Sequence, residues 1–186
     1  MQSTYTMQSK GFTILELMIA LAVAAVLMTL AAPSFTASIQ NNRMVAQINE
    51  LNALISVARS EAIKRSSSIT LCRSDNGTSC TGNWHDGRIV FVDNNSDGTV
   101  DVGDEILSVH GVIPGNSTLT FSDTRVIYGE DGFAIGGSNS TFTLCDSRGA
   151  THARGLIVGP SGRQRLAIDS DSNGILEDIN NVDLVC

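Results

Sequence analysis

The sequence predicts an α+β protein: one long N-terminal helix, its first half able to span a membrane, packed on an antiparallel β-sheet head. Three observations carry this. A continuous apolar block fills Phe12–Ala32, interrupted by Thr13, Glu16 and Thr29. An apolar stripe then recurs at Met44, Ile48, Leu51, Ile55, Ala58 and Ala62, in steps of four and three. The remainder is rich in Gly, Asn, Asp and Ser, with short β-branched runs at close intervals.

At a rise of about 1.5 Å per residue, the block Phe12–Ala32 is long enough for a hydrocarbon core of about 30 Å. A secretory signal has a shorter apolar core followed by a small-residue cleavage site. Here a polar leader comes first, and Gly11 immediately precedes the apolar run. Met7 is an alternative start that would leave a shorter leader. Within the block, Glu16 demands a reason. A carboxylate inside an apolar helix costs about 2.5–3.5 kcal/mol at mid-bilayer, so its presence implies a partner for its charge.

Beyond Pro33 the stripe predicts a continuous helix to Arg65, with Gln40, Asn41, Gln47, Glu50 and Asn52 falling between the apolar positions. Its C-terminal turns are expected to cover a β-sheet, and its N-terminal part to pack against other chains. Strands are expected at Ile69–Cys72, Arg88–Val92, Glu105–Val109, Thr118–Phe121, Thr141–Cys145, Gly155–Val158 and Gln164–Ile168. Their short connections favour antiparallel hairpins in one small sheet or two.

Cys72, Cys80, Cys145 and Cys186 all lie beyond the apolar block. An even count in an exported head reads as two disulfides with three possible connectivities. Spacing favours Cys72–Cys80, closing a small loop, and Cys145–Cys186, pinning a tail that would otherwise fray. The zinc alternative finds no paired CxxC and no histidine at ligand spacing.

Asp93-Asn-Asn95-Ser-Asp97-Gly98 opens like an EF-hand calcium loop, with Asp101 and Asp104 following. Asp169-Ser-Asp171-Ser-Asn173-Gly174 repeats that opening, with Glu177 and Asp178 next. Neither has a glutamate at the twelfth position, where bidentate ligation occurs; Asp104 and Asn180 stand there. Asx-rich hairpin turns without metal are the reading taken. Calcium at Asp93, Asn95, Asp97, Asp101 and Asp104 is the alternative, the first loop being the better candidate.

The net charge of −7 repels nucleic acid at long range, so polyanion binding would need a local basic cluster. One is offered by the turn Gly159–Gly162. Alternation along the following strand puts Gln164, Leu166 and Ile168 on one face and Arg163 and Arg165 together on the other, near Arg154. Paired guanidiniums suit phosphate. The alternative is a solvated hairpin whose arginines meet Asp169 or a neighbouring chain. His85, His110 and His152 are scattered, and neither a phosphate-binding glycine loop nor a nucleophile elbow occurs, so no enzyme is expected.

Lys10-Gly11-Phe12-Thr13-Ile14-Leu15-Glu16-Leu17 resembles the leader junction of type IV prepilins and type II secretion pseudopilins. The resemblance implies cleavage after Gly11 by the prepilin peptidase and N-methylation of Phe12. It also implies recruitment into a filament through Glu16, whose carboxylate would compensate the Phe12 amine of a neighbour. Opposite charges in low dielectric attract strongly and each alone is penalised, so pairing rewards one stagger of helices. Pro33 falls where many pilins carry a helix-kinking proline. The helix end Ala58-Arg59-Ser60-Glu61-Ala62-Ile63-Lys64-Arg65 is similar to the AR-x-EA-x-x-R close of the GspH/FimT branch, which Trp84, Gly87 and Val90–Asp93 also fit. Gly162-Arg163-Gln164-Arg165 resembles the GRxR motif of FimT-type minor pilins, which bind DNA during natural transformation.

Together these resemblances imply a type IV pilin fold. Its parts would be a leader at 1–11, a membrane-spanning and filament-core helix at 12–33, an amphipathic helix at 34–65 and a β-rich periplasmic or extracellular head at 66–186. They imply a minor pilin that helps to prime or assemble a pilus and contacts DNA, with a minor pseudopilin of type II secretion as the alternative. The implied partners are the prepilin peptidase, other major and minor pilins, the inner membrane before assembly, and DNA.

Overall fold

A computed structural model describes residues 11–136 and 140–186, with side chains at all of these positions except 30–33. The expectations for Met7, Lys10 and the leader before Gly11 lie outside these residues. The chain divides into two compact units, Met1–Gln40 and Asn41–Cys186, and helix α1 (Ile14–Arg65) contributes to both. Its helical backbone runs through Pro33.

In the first unit α1 begins on a cap that the sequence reading missed. The Thr13 hydroxyl accepts the Glu16 amide at 3.2 Å, and the Thr13 carbonyl accepts the Leu17 amide at 3.1 Å. Thr13-x-x-Glu16 has the sequence of a capping box, which could have been read directly. Glu16 therefore stands in the first turn, where the helix dipole favours a negative charge. Phe12, Ile14, Leu15, Leu17, Met18, Ile19, Leu21, Val23, Val26, Leu27 and Met28 are exposed. The helix is apolar enough to cross a membrane, with a mean hydropathy of 2.5 over its most apolar stretch.

In the second unit α1 buries Met44, Ile48, Leu51, Leu54, Ile55, Ala58 and Ala62. The whole stripe faces the head core, so the seam starts nearer the N-terminus than expected. Each fully buried Leu or Ile contributes about 1.5–3 kcal/mol. Gln47, expected on the polar side, is also buried, its amide donating to the Pro114 carbonyl at 2.7 Å.

Among the described residues nine strands form two antiparallel sheets: β1 (Ile69–Arg73), β2 (Arg88–Val92), β3 (Ile106–His110), β4 (Thr118–Thr120), β5 (Arg125–Tyr128), β6 (Ala134–Ile135), β7 (Ser140–Cys145), β8 (Arg154–Val158) and β9 (Gln164–Leu166). One sheet has the order β3-β2-β1-β5-β6 and the other β4-β7-β8-β9. The seven expected strands are all present; β5 and β6 were not anticipated. On the core side Trp84 sits edge-on to Phe121 and Phe142 and donates its indole N–H to the Asp123 carbonyl at 2.9 Å.

Each sheet also has a covered outer face. Cys72, Ile89 and Phe91 pack under Cys80, Val100 and Ile106 on one. Cys145, Ala153, Ile157 and Ala167 pack under Leu184, Ile175, Leu176 and Ile179 on the other. Disulfides Cys72–Cys80 and Cys145–Cys186 stand at the edges of these two patches.

Candidate functional site

The β8–β9 hairpin is built by its register. Val158 pairs with Gln164 and Ile157 with Arg165. The turn between them closes through Gly159 N–H to the Arg163 carbonyl at 3.0 Å and Gly162 N–H to the Gly159 carbonyl at 2.9 Å. Leu156 and Val158 belong to the core beneath α1, whereas Ile157 belongs to the outer cluster. Gln164 accordingly turns towards the helix, its amide donating to the Ser56 hydroxyl. Arg163 and Arg165 share the opposite face.

Both arginines are exposed and line a groove of about 340 Å³ with Ile157, Gly159, Ser161 and Ile179. Among the described residues neither guanidinium has a carboxylate within ion-pairing distance. Asp169, the internal partner considered for them, instead accepts the Asn173 and Gly174 amides at 3.2 and 2.9 Å.

Arg154 does not join them. Two residues from Leu156 and four from Val158, it falls on the helix side of β8. There it lines a small cavity of about 100 Å³ with Val45, Ile48, Asn49 and Leu166. The two-residue period of the strand separates it from the Arg163–Arg165 face. Gly162, read as part of a binding motif, has a packing role. At φ +72° a side chain would be strained, and a Cβ would strike the Gly132 carbonyl oxygen.

The two Asx loops differ from expectation. In the first, Asp93 is fully buried and its carboxylate accepts the Thr70 hydroxyl at 2.7 Å, the Gly98 amide at 2.8 Å and the Asp97 amide at 3.2 Å. The Asn95 amide bridges Asp97 and Asp101, while Asp104 accepts the Asn94 and Asp101 amides. The proposed ligands are thus occupied in holding the loop. It is the second loop that gathers carboxylates: oxygens of Asp169, Asp171 and Glu177 lie within 4.8 Å of one another. All three already accept main-chain hydrogen bonds. Calcium takes about six to eight oxygens, so this is a partial set.

Sequence reasoning also missed two partly buried ion pairs that brace the head. Arg88, inside β2, reaches the Glu50 carboxylate of α1 at 3.4 Å, and the same oxygen meets His110 Nδ1 at 2.9 Å. Burial pushes the Arg88 guanidinium below its usual pKa, and Glu50 opposes that shift. Arg148 grips Asp146 with Nη2 at 2.7 Å and donates Nη1 to Asn41 on α1 at 2.7 Å. The Arg148 side chain, through its hydrogen bonds, holds the Asp146 carboxyl below the usual range. Only an unexpected cation inside an apolar strand, Arg88 ahead of Ile-Val-Phe-Val, signals the first pair.

Two family models match the chain. The prokaryotic N-terminal methylation motif covers residues 6–32, and the type II transport protein GspH covers residues 47–162, more than half of the sequence. The chain belongs to the GspH family. No curated protein matches it. Two crystal structures of the type IV minor pilin FimU from Pseudomonas aeruginosa (strain PAO1) are similar in fold. One has a TM-score of 0.57 at 22% identity, covering 69% of this chain and 91% of that one. The other has 0.52 at 21%, covering 64% and 89%.

The likeness establishes the type IV pilin α+β architecture. Pilins and pseudopilins are structural rather than enzymatic, and the methylation motif implies processing by a prepilin peptidase and association with other pilins. The apolar N-terminal helix fits inner-membrane anchoring with a periplasmic head. The GspH match ends at residue 162, so Arg163, Arg165, the second Asx loop and Cys186 all lie beyond it.

Proposed function

We propose that this chain is a minor pilin, made as an inner-membrane precursor, cleaved after Gly11, methylated at Phe12 and drawn into a pilus by Glu16. Its part there is to prime or assemble the filament, and Arg163 and Arg165 give the head a contact for DNA. The observation that carries the filament reading is the exposed apolar surface running from Phe12 to Met28, broken by one acidic side chain. A surface of that extent needs a membrane or neighbouring helices to cover it.

The DNA contact is supported by two exposed guanidiniums on one face of a hairpin, without a carboxylate partner among the described residues. Two phosphate contacts on an acidic protein give weak binding with a salt slope of about −1.8 on duplex DNA. Replacing both arginines by glutamine is expected to abolish a gel shift. An unchanged affinity would remove DNA from the proposal.

The second reading is a minor pseudopilin of type II secretion, favoured by the description of the family whose model matches residues 47–162. Deleting the gene separates the two. Lost piliation and transformation with intact exoprotein secretion supports the pilus, and the reverse pattern supports secretion.

A further inference from the structure

We propose that Arg59 is the positioning residue for the arginine hairpin, holding it against α1 through the Gly132 carbonyl. This rests on the reading that Arg163 and Arg165 contact DNA. The two segments concerned, the end of α1 and the turn after β8, are far apart in sequence and meet at one oxygen atom. Arg59 Nε donates to the Gly132 carbonyl at 2.9 Å. Gly162 packs on that same oxygen so closely that a Cβ there would overlap it, and the Cβ would stand 3.1 Å from Arg59 Nε.

The Gly132 turn is itself held. Its N–H reaches the Gly129 carbonyl at 2.8 Å, and a Cβ on Gly132, at φ +75°, would press to 2.7 Å from Ile63 Cδ1. Two further bonds complete the junction: Ala134 N–H to the Pro160 carbonyl at 3.1 Å, and the Gln164 amide to the Ser56 hydroxyl. Ser56, Arg59 and Ile63 follow one another along a single face of α1 at helical spacing.

The consequence is geometric. Arg163 immediately follows the clamped Gly162, and Arg165 lies two residues on, on the same face of a three-residue edge strand. Such a short strand has little stiffness of its own, so the direction of the two guanidiniums depends on where its turn is held. Arg59 acts on them through Gly132 and Gly162, without needing to touch the nucleic acid.

The test uses the full processed chain in detergent, with a fluorescent duplex oligonucleotide as the probe and amide hydrogen exchange of residues 159–165 as a readout independent of DNA. Arg59→Met removes both the bond and the charge. Arg59→Gln removes the charge and keeps an N–H for the Gly132 carbonyl. Arg59→Met is expected to speed exchange across 159–165 by about tenfold and to weaken DNA binding towards the level of the Arg163→Gln/Arg165→Gln double variant. Arg59→Gln is expected to leave both close to wild type.

Unchanged exchange in Arg59→Met overturns the proposal. Equal loss of DNA binding in both Arg59 variants, with exchange unaltered in Arg59→Gln, also overturns it and makes Arg59 a direct charge contact. Faster exchange in Arg59→Met, together with a double arginine variant that binds DNA like wild type, keeps the clamp and removes the DNA reading.

Discussion

Two stretches of this chain open almost alike, Asp93-Asn-Asn-Ser-Asp-Gly98 and Asp169-Ser-Asp-Ser-Asn-Gly174, yet their leading aspartates end in different surroundings. Both make the local Asx hydrogen bonds their composition promises: Asp93 accepts the Asp97 and Gly98 amides, and Asp169 accepts those of Asn173 and Gly174. Only Asp93 is also anchored to the neighbouring strand, through the Thr70 hydroxyl, and it alone is fully buried. Arg125 adds a second tie, donating to the Asp97 carbonyl at 2.8 Å where Gly98 leaves room for it. The second loop follows an edge strand and satisfies itself through Glu177 and Asp183. The same local grammar gives a structural rivet in one place and a self-contained surface turn in the other, and the tertiary anchor makes the difference.

The largest expected effect concerns the disulfides beside these loops. Cys145–Cys186 closes a separation of 41 residues and Cys72–Cys80 one of 8. In the chain-entropy model their loss costs about 4 and about 2.5 kcal/mol respectively. Denaturant unfolding of the paired Cys→Ser variants measures this. A larger loss from the shorter loop would mean that the first loop depends on its disulfide more than on Asp93.

Next is the direct comparison. Asp93→Ala strands a buried hydroxyl and two amides and is expected to cost about 3 kcal/mol, against about 1 kcal/mol or less for Asp169→Ala in its more exposed turn. Equal costs in the same unfolding experiment would erase the distinction drawn between the loops.

The smallest effect is on pH dependence. The Thr99 hydroxyl and amide hold the Asp97 carboxyl below its ordinary value. A carboxylate depressed on folding contributes stability above its unfolded pKa of about 3.9 and loses it as the pH falls through the lower folded value. Thr99→Val is therefore expected to flatten the acid limb of unfolding slightly below about pH 4, Asp97 being solvent-exposed.

Much of the fold was legible because it rests on period. The Met44–Ala62 stripe has helical spacing, and the seven anticipated strands carry β-branched runs between turn residues. β5 and β6 were missed because Arg125–Tyr128 and Ala134–Ile135 are too short to establish an alternation and depend on pairing with β1 and with each other. Gln47 and Arg88 were illegible for another reason. A hydrophobic pattern assigns polar side chains to the surface, and only a partner distant in sequence, Pro114 or Glu50, makes their burial tolerable.

The arginine face itself was readable from strand parity. The exclusion of Arg154 was not, because it depends on which face of β8 meets the helix. Gly162 looked like part of a ligand motif until the Gly132 carbonyl was seen above it. The Thr13 cap was present in plain sequence and was overshadowed by the charge of Glu16.

The proposed filament role turns on that glutamate, and on the proposal that assembly neutralises a carboxylate at the start of an apolar helix. The most direct measurement is the amount of Glu16→Ala protein recovered in sheared filaments relative to the membrane fraction, scored together with leader removal. The account predicts a chain that is trimmed after Gly11, stays in the membrane and is absent from filaments. Glu16→Ala protein found in filaments at the wild-type ratio would contradict it.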